Sequence, residues 1–239
     1  MTHAVRYEDM LQSEADWDSQ WAALFDHYQK DLRHAYYINA VRRPDETRVL
    51  ELAAGSFRDV VALQGMGVDC SGMDYSPESI QRAKAAFPAL ADKFHEMNAF
   101  SLAFGDGAFD LTYHNGFWGL FPPEQVRALA AEQARVSRRR MIATVHNAHN
   151  RPFAEYFARV SQTDPLYRIK FYEVDEIEAV MREFCRAVRV VPVGKAKKSH
   201  EDVLIQEGRG DARRLGKYFH RCGHALLDCS ERLLCIGEL

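Results

Sequence analysis

The sequence predicts an α/β fold in which a mostly parallel sheet is covered by helices on both faces. Three observations carry that expectation: short apolar runs recur between helix-length segments, the first run ends in small residues and a glycine, and no long uncharged apolar stretch occurs. At 239 residues, the chain suits one generous domain with a substantial core. Its 47 % hydrophobic and 27 % charged residues exclude a disordered chain or a coiled rod. Lys and Arg number 31 against 34 Asp and Glu, a net charge of -3, so no overall field attracts a phosphate backbone. A small molecule is therefore the expected partner, with neither nucleic acid nor membrane; oligomeric state leaves no readable mark. Five scattered cysteines without a CxxC pair suit a reducing compartment, and no leader or span is readable, so a cytoplasmic location is expected.

The elements follow in order. Leu11, Trp17, Trp21, Leu24, Phe25, Tyr28, Leu32, Tyr36 and Tyr37 include several spacings of three or four, which predicts a helical cover over 1–44. Arg42-Arg43-Pro44-Asp45 ends it. Residues 48–54 (RVLELAA) predict a strand, 56–65 a helix, 68–74 (VDCSGMD) a strand, and 77–87 a helix stopped before Pro88. Strands are expected near 93–98 and at 109–114, with a helix at 123–135 between the second of these and a strand at 140–146. The triplet Arg138-Arg139-Arg140 is expected in a solvated turn ahead of that strand. Beyond 147 the pattern predicts a short helix at 151–160, an irregular connection to 171, a helix at 173–184 and a strand at 187–193. A basic polar stretch (194–202, with Lys195, Lys197 and Lys198), a helix over 209–227 and a last strand at 232–237 complete the chain. With no internal repeat, 45–239 is expected to be one domain with insertions near 147–172 and 195–225.

The stretch with chemistry is Val49-Leu50-Glu51-Leu52-Ala53-Ala54-Gly55-Ser56-Phe57-Arg58-Asp59, followed 15 residues later by Asp74. Small residues at a strand end let a ligand approach the backbone, and Gly55 reaches torsions closed to most residues. Ser56 and Asp59 have the spacing of a capping box. Asp74, closing the next strand, suits the paired hydroxyls of a ribose. A dinucleotide site wants close glycines and a helix terminus free for pyrophosphate. Ala53, Gly55 and Arg58 with acidic Asp59 in the first turn make a poor nest for that anion, whereas a phosphate-free nucleoside meets no such objection.

From these residues the chain resembles the class I S-adenosylmethionine-dependent methyltransferases over roughly 48–146 and less fully beyond. Glu51, Ala53, Gly55 and Phe57 occupy the family's first motif, with Ala53 and Phe57 standing at two of its glycine places. Gly72-Met73-Asp74-Tyr75-Ser76-Pro77, Met97-Asn98-Ala99, Leu102-Ala103-Phe104 and Asp106-Gly107-Ala108-Phe109-Asp110 follow in the family's order. The resemblance implies a Rossmann-like, mostly parallel seven-stranded sheet and S-adenosylmethionine as cofactor. It implies cofactor binding by Glu51, Ala53, Gly55, Phe57, Asp74, Tyr75, Asn98, Ala99 and His114, with the Asn98 side-chain carbonyl accepting from the adenine amino group. The reaction implied is methyl transfer to a nitrogen or oxygen of a small molecule. Two alternatives stay open: transfer or cyclisation of the aminocarboxypropyl arm, and a noncatalytic nucleoside-binding sensor or partner protein.

Two rims carry the candidate acceptor chemistry. They read His114-Asn115-Gly116-Phe117-Trp118 after the fourth strand and His146-Asn147-Ala148-His149-Asn150-Arg151 after the fifth. Both are expected to open onto one cleft. His114, His146 and His149 are the candidate catalytic residues, because imidazole holds either protonation state near neutrality. Tyr28, Tyr37, Asn115, Trp118, Asn147 and Arg151 are the candidate substrate-binding residues; Phe57, Phe117 and Trp118 wall the pocket or simply pack in the core. No metal is expected, since Cys222-Gly223-His224 with Cys229 lacks the spacing of a structural zinc site.

Overall fold

The buried strands alternate so that adjacent residues enter opposite layers. Val49, Ile142 and Leu234 join one core cluster, while their neighbours Leu50, Ala143 and Cys235 join the other. That is why these strands read as continuous apolar runs. The computed structural model describes residue 29 and residues 32–195, 200–206 and 211–239. Tyr28, the cover before residue 29, Lys197 and Lys198 lie outside the described residues.

The elements are α1 (Arg33–Val41), β1 (Arg48–Leu52), α2 (Arg58–Gly65), β2 (Asp69–Asp74), α3 (Pro77–Ala86), β3 (Phe94–Glu96), β4 (Phe109–Asn115) and α4 (Pro123–Val136). They continue as β5 (Ser137–Asn147), α5 (Arg151–Val160), β6 (Phe171–Tyr172), α6 (Val174–Arg182), β7 (Ala187–Lys195), α7 (His200–Gln206), α8 (Ala212–Cys222) and β8 (Ser230–Glu238). The sheet order is β3-β2-β1-β4-β5-β8-β7, with β6 pairing the end of β5 off this path. Strands β1 to β6 pair in parallel, whereas β8 lies antiparallel between β5 and β7. The winding reverses between β1 and β4, which opens a crevice above their carboxyl ends.

Helices α1, α2 and α8 supply Ile38, Leu63 and Phe219 to one layer; α4 and α6 supply Leu129 and Ile177 to the other. Helix α3 begins at Pro77, and the Ser76 hydroxyl accepts from the Ser79 N–H at 3.1 Å, a side-chain cap that fixes its start.

Three expectations are corrected. The Arg138–Arg140 triplet lies inside β5 rather than in a turn before it; Arg138 and Arg139 are exposed, but Arg140 is buried against Glu46 and donates to the Val41 carbonyl. The irregular stretch ends in a two-residue strand, β6, too short to show an alternation. The helix expected over 209–227 is confined to α8, with Gly223 at φ +49 beyond its end. Among the described residues no helix is long and apolar enough to cross a membrane.

Asp110 ties the start of β1 to β4. Its Oδ2 accepts from the Thr47 N–H at 3.0 Å, the Thr47 hydroxyl at 3.1 Å and the Arg48 N–H at 3.0 Å. Burial opposes ionisation, yet those donors and Arg138 hold the carboxyl below its usual range. We expect Asp110→Asn to lower stability by about 2–3 kcal/mol in urea unfolding at neutral pH. A depressed carboxyl stabilises above its unfolded pKa and loses that contribution as pH falls through the folded one, so the gap should close below about pH 4. A pH-independent gap would sink this assignment.

Candidate active site

At the carboxyl end of β1 the backbone enters the left-handed region three times: Ala53 at φ 52, Gly55 at φ 55 and Phe57 at φ 56. For Ala53 and Phe57 this costs of order 1–3 kcal/mol each, so neighbouring contacts must impose it. Asp74 does so from β2. Its Oδ2 accepts from the Gly55 N–H at 2.7 Å and its Oδ1 from the Ser76 N–H at 3.0 Å, while Ala54 N–H donates to the Met73 carbonyl at 2.9 Å. The Phe57 side chain holds the other end of the turn. It is fully buried with its ring 4.8 Å from that of Phe94, and a Cβ on Gly72 would lie 2.9 Å from Phe57 Cδ1. Phe57 thus gives the turn its backbone and the core its ring, rather than a wall to a pocket.

The capping box expected from Ser56 and Asp59 is absent. Phe57 is the residue preceding α2, and no side chain caps it. Asp59 turns instead to His34 of α1, whose Nδ1 lies 2.7 Å from Asp59 Oδ2 and whose Nε2 lies 2.9 Å from Thr144 Oγ1 in β5. All three are buried. Gln29, ahead of α1, also donates to the Ser56 carbonyl at 2.8 Å and so reaches the turn itself.

Glu51 completes this group. The ligand-capable atoms of His34, Glu51 and Asp59 lie within 4.8 Å of one another, the one such metal-capable set among the described residues. Glu51 Oε2 and Asp59 Oδ1 have no hydrogen-bond partner, although Arg58 Nε lies 3.4 Å from the latter. Burial, then the Asp59 charge, pushes the Glu51 carboxyl well above its usual range. Sequence reasoning missed His34 and Thr144. The available signal was a histidine flanked on the α1 core face by Ala35 and Ile38.

The other candidates divide. Tyr75 is half-buried beside Asp74; Ala99 is buried, and exposed Asn98 already accepts from the Phe100 N–H at 2.9 Å, with a second lone pair remaining on that oxygen. The two rim histidines do not share one face. His114 pairs in register with Ala143, and His146 lies three residues further along β5, so the two imidazoles leave the sheet on opposite sides. His114 is fully buried with its ring 4.7 Å from that of Trp118, itself fully buried in the core beneath α4 and α6. Burial pushes the His114 pKa down to about 3, leaving a neutral imidazole with neither nitrogen hydrogen-bonded. Asn115 sits half-buried at the end of β4.

Three residues expected at the acceptor have structural partners instead. Asn147 donates to the Leu227 and Ser230 carbonyls at 2.6 and 2.8 Å and accepts from His149 N–H at 3.0 Å, which clamps the entry to β8 and leaves its amide no free donor. Tyr37 donates to buried Glu201 and packs on Phe219, tying α7 and α8 to α1. Arg151 is exposed and lies 3.5 Å from Glu173, whose other oxygen is 3.0 Å from His149 Nε2; that nitrogen also accepts from the Val174 N–H at 3.2 Å.

Residues 49–140 match the family model described as a methyltransferase domain. No curated protein matches the chain in sequence. Among solved structures, the chain is similar to one in the complex of the Haloferax volcanii Trm112 methyltransferase activator with a methyltransferase, at 17 % identity and TM-score 0.64, covering 95 % of this chain and 98 % of that one. A SAM-dependent methyltransferase from Archaeoglobus fulgidus aligns at 13 % identity and TM-score 0.62, over 95 % of this chain and 100 % of its own. A geranyl diphosphate methyltransferase in complex with GPP and sinefungin aligns at 15 % identity and TM-score 0.53, over 86 % and 76 %. These likenesses establish the shared fold. The domain match over 49–140 spans the motif order on β1 to β4, and the cofactor named for the Archaeoglobus fulgidus protein is S-adenosylmethionine.

The residues present fit that cofactor. Glu51 Oε2 and Asp59 Oδ1 are buried acceptors without a hydrogen-bond donor, suited to an ammonium group, and the Asp74 carboxylate closes β2 at the strand end where a ribose would lie.

One consequence concerns acid. The unfolded His114 binds a proton near pH 6.5, whereas the folded side chain resists protonation down to about 3, so stability falls with pH across that window. Relative to His114→Phe, the wild type should lose about 1.4 kcal/mol per pH unit between pH 6 and 4, read from urea midpoints. A constant difference would contradict the buried neutral imidazole.

Proposed function

We propose that this methyltransferase moves the S-adenosylmethionine methyl group to a nitrogen or oxygen of a small-molecule acceptor held above β4 and β5. The observation that carries the reading is the left-handed β1–α2 turn pinned by Asp74, beside the unmatched carboxylate oxygens of Glu51 and Asp59. When bound, the cofactor supplies an electrophilic methyl on a sulfonium, so the protein's share is alignment and exclusion of water. Glu51 and Asp59 would hold the ammonium, and an ammonium there would favour the ionised form of Glu51 against its burial. Asp74 would orient the ribose, Gly55 would let it approach the backbone, and Asn98 would accept from the adenine amino group.

Two features support a small acceptor. The chain has no net positive field, and a fold relative acts on geranyl diphosphate. Ala53 and Phe57, at two glycine places of the first motif, both adopt the backbone a glycine would, so the turn keeps its shape. A cytoplasmic setting suits the free cysteines.

Incubation with S-adenosylmethionine and pooled metabolites should yield S-adenosylhomocysteine and an acceptor heavier by one methylene unit in mass spectrometry. Methylthioadenosine as the nucleoside product would sink methyl transfer. Asp74→Ala should weaken S-adenosylmethionine binding about 10- to 100-fold by calorimetry, through lost ribose contacts and a released turn.

A further inference from the structure

Near the carboxyl end of β5, His146 is only 2 % exposed, and neither of its ring nitrogens has a hydrogen-bond partner. Buried polar groups are nearly always paired, so an imidazole orphaned at both nitrogens calls for a specific explanation. Its surroundings are aromatic. Phe153 stacks on it at 6.4 Å with 12° between planes, and Phe157 and Phe171 lie at 5.2 and 5.0 Å. Phe153 and Phe157 belong to α5, a helix with no fully buried residue, so the cover over His146 is shallow. On the β4 side lies the backbone of Gly116, where a Cβ would stand 3.6 Å from His146 Cε1.

The charge and position of the nest narrow its guest. Arg232 pairs with His146 in the β5–β8 register, and burial followed by that positive charge drives the imidazole pKa well below its usual value. A neutral imidazole beside a guanidinium welcomes a hydroxyl and disfavours an ammonium, even among aromatic rings. Thr144 lies two residues back on the same face, about 6.6 Å along the strand, and contacts His34 of the carboxylate group. The nest therefore adjoins the end of the site suited to the cofactor's ammonium.

We propose that the His146 nest is the acceptor subsite, taking a flat, uncharged, apolar or aromatic molecule whose hydroxyl donates a hydrogen bond to the His146 imidazole. This rests on the methyltransferase reading above.

Three probes test it on the full chain, with S-adenosylmethionine binding measured in parallel: 2-naphthol, naphthalene without the hydroxyl, and tryptamine with an ammonium. The wild type should bind 2-naphthol about tenfold or more tightly than either control, and 2-naphthol should shift the ¹⁵N signals of the His146 ring. His146→Phe should lose about tenfold in 2-naphthol affinity while binding S-adenosylmethionine normally, and Phe157→Ala should weaken 2-naphthol and naphthalene alike. Should His146→Phe fail to fold, the ¹⁵N shifts and Phe157→Ala decide. No 2-naphthol binding, equal binding of tryptamine, or an unshifted His146 ring would overturn the subsite. Failure of the wild type to bind S-adenosylmethionine, with 2-naphthol still held by His146, would overturn the methyltransferase reading alone.

Discussion

The carboxylate of Asp74 is the contact on which the site depends. One side chain accepts from Gly55 on the β1–α2 turn and from Ser76 ahead of α3, so two strand ends and two helix starts are set by one group. The turn it pins places two residues other than glycine in a conformation they resist. Phe57 tolerates it because its ring is fixed against Phe94 over a glycine with no side chain to obstruct it. Backbone strain and core packing are thus settled in the same few residues.

A second polar contact attaches α1 to this centre. His34 spans Asp59 and Thr144, joining the first turn of α2 to β5 across buried space where an unmatched group is costly. The same arrangement leaves Glu51 and Asp59 each with an oxygen lacking a donor. Such oxygens are poor for stability alone and apt for a cationic group arriving from solution, which is the expected division between a fold and its site.

Much of this was legible in the sequence, for identifiable reasons. Strands buried on both faces leave continuous apolar runs, and the spacing from Glu51 through Gly55 to Asp74 and on to Asn98 marks successive strand ends, so the alternating order and the strand-end positions could be read directly. What escaped depends on contacts between distant residues. The pairing of Arg140 with Glu46 joins residues 94 apart, and the Asn147 clamp on Ser230 joins residues 83 apart. That His114 and His146 leave opposite faces follows from strand register, which local periodicity does not carry. His34 escaped because a histidine on a helix rich in aromatic residues looks like packing until its two partners are brought beside it.

Hydrogen–deuterium exchange on the full chain, with and without saturating S-adenosylmethionine, tests the central claim most directly. If the pinned turn is the cofactor site, the cofactor should slow exchange at 52–59, 74–76 and 97–100, the three strand ends that carry Gly55, Asp74 and Asn98. Protection confined to other segments, or no protection at these three under saturating cofactor, would contradict the account.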